Sequence, residues 1–131
     1  MFQDRNKRVW DRIEAQMARI RSIKPQFWGD DKTARVSRDA RLLALGLISM
    51  SDDGGRFLAS HSSICGYAYP HDEIKPAQLA KWLKELESVG FVHLYEVNGL
   101  RYGCFLTYSK HQRISHPQPS PLPAPQDVIE A

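Results

Sequence analysis

Lys75, Gln78, Lys81 and Lys84 recur every three residues along the segment "KPAQLAKWLKELESVG". On a helix that spacing forms one slowly winding stripe. Lysine ammonium groups bind phosphates or guanine edges, and a glutamine amide pairs with adenine edges. Such a stripe is chemically suited to a nucleic acid. The ordinary alternative is a solvated helix face, and Glu85 and Glu87 nearby dilute its positive field. Arg35, Arg38 and Arg41 repeat the three-residue spacing further upstream. They form either a phosphate-facing row, helped by helix N-terminal donors, or ion pairs with Asp30, Asp31 and Asp39.

Arg101 lies near the tip of a predicted hairpin and could enter a minor groove, but Glu96 is expected directly opposite and competes with that role. Tyr95 and Tyr102 could touch sugars; a cross-strand aromatic pair is more often simple packing. Arg19, Arg21 and Lys24 precede the body of the chain, and Lys110, His111, Arg113 and His116 follow it. These two groups are candidates to flank the same face.

Other chemistries find little support. His61 and Cys65 are four apart, but a zinc site needs about two more ligands, and His71, His93 and Cys104 are scattered. No glycine-rich phosphate loop, nucleophile elbow or metalloprotease motif occurs. The acidic "DDGG" and "HDE" read as turns. The expectation is a protein without catalysis, cofactor or metal.

Charge distribution points the same way. The 131 residues carry a net charge of +3. Residues 1–24 hold seven basic residues against three acidic ones, whereas residues 25–109 hold nine against ten. The excess sits on an N-terminal arm, a common electrostatic footprint for nucleic acid. At 42% hydrophobic and 25% charged, the chain suits one globular domain. It shows neither a membrane-spanning apolar run nor the apolar centre of a signal peptide. Two cysteines, Cys65 and Cys104, suggest no disulfide framework. A cytoplasmic location is expected.

The elements that must position these residues follow from periodicity. Residues 4–21 carry Val9, Trp10, Ile13, Met17 and Ile20 at helical spacing, which predicts an amphipathic helix. Met17 could be an alternative start, in which case residues 1–16 would be dispensable. After Pro25, "FWGDDKTARVS" suggests a short helical turn or two anchored by Phe27 and Trp28. Ser37 caps a helix over 38–51, apolar on nearly every side through Leu42, Leu43, Leu45, Leu47, Ile48 and Met50. Gly46 permits close approach of another element. "SDDGG" is a turn, "RFLAS" a short strand and "SHSSICGYAY" a short helix capped by Ser60.

Pro76 opens an amphipathic helix over 76–89, with Leu79, Trp82, Leu83 and Leu86 inward and Gly90 as its stop. Asn98-Gly99 predicts a two-residue hairpin turn pairing Val97 with Leu100, Glu96 with Arg101 and Tyr95 with Tyr102. Prolines 117, 119, 121, 123 and 125 then alternate, which predicts an extended, semi-rigid spacer. Such a spacer would tether a further part or mark one that has been lost.

The predicted order is helix, strand, helix, helix, strand, turn, strand. This is the order of a winged helix-turn-helix, an α+β, mainly helical fold in which the third helix reads the major groove and the hairpin is the wing. The expected domains are an arm over 1–24, a winged helix over 25–109 and a proline-rich tail over 110–131.

The segments "RIRSIKPQFWGDDKTARVSRDARLLALGLISMSDDGGRF", "LAKWLKELESVGFVHLYEVNGLRYGCF" and "YSKHQRISHPQPSPLP" together resemble winged-helix proteins of phages and prophages. They are similar to the N-terminal domain of replisome organisers and replication initiators over about residues 18–123. The resemblance implies double-stranded DNA binding in replication initiation or transcriptional regulation. In that family a proline-rich linker and a C-terminal part often follow. A second expectation is a protein-interaction winged helix, an adaptor or inhibitor of a replication or host-defence protein, with the arm as docking helix. A homodimer is compatible with either.

Overall fold

The computed structural model describes residues 19–125. The basic residues of the arm before Arg19, its apolar stripe up to Met17 and the Met17 start lie outside them. Residues 19–24 carry no helix and Ile20 is exposed, so the helix expected over 4–21 does not reach its C-terminal end.

The described residues form six helices and three strands: α1 Gln26–Gly29, α2 Asp31–Ala34, α3 Arg38–Met50, β1 Arg56–Leu58, α4 His61–Ala68, α5 Pro76–Ser88, β2 His93–Val97, β3 Leu100–Cys104 and α6 Tyr108–His111. The architecture is α+β and consistent with a winged helix. Only α6 is not expected from the sequence.

Capping residues fix the helix starts. The Ser37 and Ser60 side chains accept the Ala40 and Ser63 N–H groups at α3 and α4, donors that would otherwise be orphaned. Pro76 sits at the start of α5, and Gly90, at φ +82°, follows its end. Leu43, Leu47, Ile64, Leu79, Leu83 and Leu86 pack together with Phe57 in one core between α3, α4, α5 and the sheet. Gly46 meets Ala68 so closely that a Cβ there would lie 2.7 Å from the alanine methyl. The expected close approach is therefore the α3–α4 crossing.

Two burial expectations need correction. Leu42 on α3 is 54% exposed and Leu45 only half-buried, because α4 and α5 cover one side of the helix and leave the other open. Trp28 is 62% exposed; it meets the ring of Phe27 edge-on at 5.2 Å, and Phe27 is the anchor of that pair, packed against the core.

The sheet has strand order β1-β3-β2, antiparallel throughout. Asn98 and Gly99 both have positive φ, as a type I′ turn demands. The register is the expected one, Val97 opposite Leu100, Glu96 opposite Arg101 and Tyr95 opposite Tyr102. Phe57 and Leu94 face the core through this pairing. Arg56, Leu58, Tyr95, Val97, Tyr102 and Cys104 share the outer face.

That outer face is not open. The expected spacer is a strap: Leu122 is buried and packs with Tyr102, Leu58, Tyr95 and Val97. Tyr95 Oη donates to the Pro123 carbonyl at 2.6 Å and Arg56 Nη1 to the Leu122 carbonyl at 2.7 Å. Alternating prolines stop the segment from forming helix or sheet, but they do not stop it from docking.

The turn over residues 51–55 holds both flanks of the domain. Its two carboxylates are buried. Asp52 accepts the Gly54 and Arg56 N–H groups and the Ser120 hydroxyl. Asp53 pairs with Arg19 at 3.0 Å and Arg21 at 2.9 Å and accepts the Gln118 N–H. Burial pushes the Asp52 carboxyl above its ordinary value, against the opposing pull of Ser120, Arg56 and Gly54. A raised folded value means that its stabilising contribution is present at low pH. That contribution is lost as pH rises from the ordinary aspartate value of about 4. Asp52→Asn, which keeps an acceptor for the two N–H groups, is therefore expected to be at least as stable as the parent at pH 7. The difference should shrink toward pH 4, as read from urea midpoints at the two pH values.

Candidate nucleic-acid interface

The exposed side of α5 carries the first candidate set. Lys75, Gln78, Lys81 and Lys84 are all exposed, because Leu79, Trp82, Leu83 and Leu86 turn the other side into the core. Gln78 is partly committed to structure. Its side-chain carbonyl accepts the Lys75 N–H at 3.0 Å, which closes the start of α5. A two-point pairing of this amide with an adenine edge would give up that bond, so Gln78 is a cap residue first.

The two glutamates expected to dilute this face are also engaged. Glu85 accepts the Ser37 N–H at 2.9 Å and the Ser37 hydroxyl at 3.0 Å, and Glu87 accepts the Leu94 N–H at 2.9 Å. Glu85 thus ties the start of α3 to α5. This junction places exposed Arg38, and Arg35 two residues before Ser37, beside the half of α5 that carries Lys81 and Lys84.

The alternative of ion pairs with Asp30, Asp31 and Asp39 is not realised among the described residues, where the ion pairs are those of Asp53. Asp30 caps α2 through the Lys32 N–H instead. Arg41 differs from its two companions. It is half-buried, with Nε removed from solvent and without a partner, and it is withdrawn from an outward row.

Arg101 is exposed near the hairpin tip. Glu96 is opposite in register, but no ion pair forms between them among the described residues. Tyr95 and Tyr102 stack at 5.8 Å and are covered by the strap. Burial pushes the Tyr95 phenol upward, which keeps it a neutral donor.

Two of the arm residues are engaged by the turn over residues 51–55. Arg19 and Arg21 are held by Asp53, and the Arg21 side chain is only 3% exposed. Arg21 also donates to the Ser51 carbonyl and lies over the ring of Tyr108. Both arginines are anchors of the chain, and Arg21 cannot reach a phosphate. Lys24 and Lys110 do come together: Lys24 Nζ donates to the Lys110 carbonyl at 3.1 Å, and Ser22 exchanges two 2.8 Å bonds with the Gln112 amide. Lys24 and His111 share the wall of a cavity of about 370 Å³ with Gly90 and Phe91, at the end of α5. Arg113 and His116 are exposed beyond it.

His61 Nε2 meets the Ile74 carbonyl and Cys104 is buried on the sheet. Among the described residues no three ligand-type side chains gather round a metal position, and no helix is long and apolar enough to cross a membrane. No family model, curated protein or solved structure matches the chain.

The paired carboxylates at 52 and 53 are the residues that sequence reasoning missed. The turn is expected from the sequence, but its burial is not. The available signal is two adjacent acids in a glycine-rich turn together with an arginine excess nearby.

Proposed function

We propose that the chain is a winged-helix protein that binds double-stranded DNA. In this reading α5 is the recognition helix and the β2–β3 hairpin is the wing. The observation that carries it is the junction at Ser37 and Glu85. Exposed Lys81 and Lys84 on α5, exposed Arg38 in the first turn of α3 and exposed Arg35 at the end of α2 flank that junction in sequence, and both nearby glutamates accept backbone N–H groups. Lys75 extends this basic surface toward the start of α5 and Arg101 adds a cation at the wing. Such cations neutralise phosphates and release counterions, so binding is salt-dependent. The resemblance to phage-type winged helices implies a role in replication initiation or transcriptional regulation.

The test is fluorescence anisotropy of a labelled random duplex between about 50 and 200 mM salt. The parent should bind with a steep salt dependence. Lys81→Ala with Lys84→Ala should weaken binding about tenfold or more and reduce the slope of log K against log salt by about 2, one for each phosphate that is no longer neutralised. No binding at micromolar protein would overturn this reading.

The exposed Leu42 and Trp28 favour a second reading, in which the domain is a protein-interaction module for a replication or host-defence protein. A failed duplex titration together with a partner contact that Leu42→Glu abolishes would establish it.

A further inference from the structure

The strap carries an inference independent of DNA binding. Residues 118–125 contribute Leu122 to a small cluster with Tyr102, Leu58, Tyr95 and Val97, separate from the main core. The main core includes no residue of the strap. The chemistry of the contact is also complementary in a particular way. Pro119, Pro121, Pro123 and Pro125 have no N–H, so the segment presents mostly acceptors. The sheet answers with donors, Arg56 Nη1 to the Leu122 carbonyl and Tyr95 Oη to the Pro123 carbonyl. The donor side chain of the strap that faces the domain, Ser120, meets the Asp52 carboxylate. Aromatic rings flank the leucine anchor. The segment bends at Pro121 and Leu122, where the Ser120 hydroxyl accepts the Leu122 N–H, and aromatic-lined grooves are a recurring mode of proline-rich recognition.

We propose that the outer face of the β1-β3-β2 sheet is a receptor groove for proline-rich segments of Ser-Pro-Leu-Pro pattern, closed in this chain by its own residues 118–125, and that its partner in trans is a proline-rich peptide of that chemistry. The tail occupies the groove at an effective concentration of the order of millimolar. A partner must exceed that to displace it, so the tail sets the threshold for binding.

The test vacates the groove without altering it. The full chain carrying Ser120→Ala and Leu122→Asp keeps Asp52, Arg56, Tyr95 and Tyr102 intact. A fluorescein-labelled peptide with the sequence of residues 116–125 is titrated into it and into the parent. The expected result is binding to the vacated chain at least tenfold tighter than to the parent. Adding Tyr95→Phe should weaken it about fivefold, as the loss of one hydrogen bond implies. No binding to a vacated chain that still melts cooperatively would overturn the proposal. Equal binding of a control peptide with aspartate in place of its leucine would do the same. Should the vacated chain fail to fold, the parent is titrated instead with unlabelled peptide at several millimolar and followed by NMR. Shifts confined to Arg56, Leu58, Tyr95 and Tyr102 with release of the tail support the groove, and an unchanged spectrum overturns it.

Discussion

Asp53→Asn is expected to lower the unfolding free energy by about 3–5 kcal/mol, seen as a fall in the urea midpoint. The Asp53 carboxylate is fully buried and the Arg21 side chain is 3% exposed, at 2.9 Å. Asparagine removes the negative charge and leaves the guanidinium in the interior without its counter-charge. Its contacts to the Ser51 carbonyl and the Tyr108 ring carry no negative charge. Arg19→Ala should cost far less, below about 1 kcal/mol, because Arg19 is 36% exposed and solvent screens its pair. Replacing Asp53 and Arg21 together by apolar residues of similar volume should cost less than Asp53→Asn alone, since no orphan charge is left. A loss below about 1 kcal/mol for Asp53→Asn would show that water reaches the pair.

The second large effect lies in the sheet. Phe57 is fully buried and sits directly across from Gly103. A Cβ at position 103 would lie 2.3 Å from the Phe57 ring. Phe57→Ala is expected to cost about 3–5 kcal/mol, the usual loss for a buried aromatic. Gly103→Ala is expected to cost about 1–3 kcal/mol, because the ring must leave its place against Phe105 and the core. The two should not add. In the double variant the new methyl enters space that the ring has vacated, so the combined loss should fall short of the sum by about 1 kcal/mol or more. Strict additivity in chemical denaturation would mean that the ring finds a second rotamer at no cost.

Much of the fold can be read from the sequence because its signals are local. Ser37, Ser60 and Pro76 cap or open their helices, and Asn98-Gly99 sets the hairpin register. These residues act within a few positions of themselves. The misreadings are all long-range. Periodicity buries Leu42 because it counts apolar residues but does not say how many neighbours arrive. The tail reads as a free spacer because its alternating prolines settle its own conformation and not the surface that receives it. Arg21 reads as a phosphate ligand because its charge is visible and its partner, Asp53 far along the chain, is not. Lys75, Lys81, Lys84, Arg35 and Arg38 are legible as candidates and are exposed in the fold. What brings the last two beside α5 is a bond between Ser37 and Glu85, 48 residues apart, which no local pattern announces.

The turn over residues 51–55 has a mechanical consequence. It is gripped from the N-terminal side by Arg19 and Arg21 and from the C-terminal side by Gln118 and Ser120. Tension applied between residues 19 and 125 therefore loads this turn and the strap's bonds to Arg56 and Tyr95 before it reaches Leu43 or Leu47. The ion pairs and the strap act as a fuse in series with the hydrophobic interior. Under load the molecule would first lengthen by releasing its two flanks, and only then would the helices and sheet come apart.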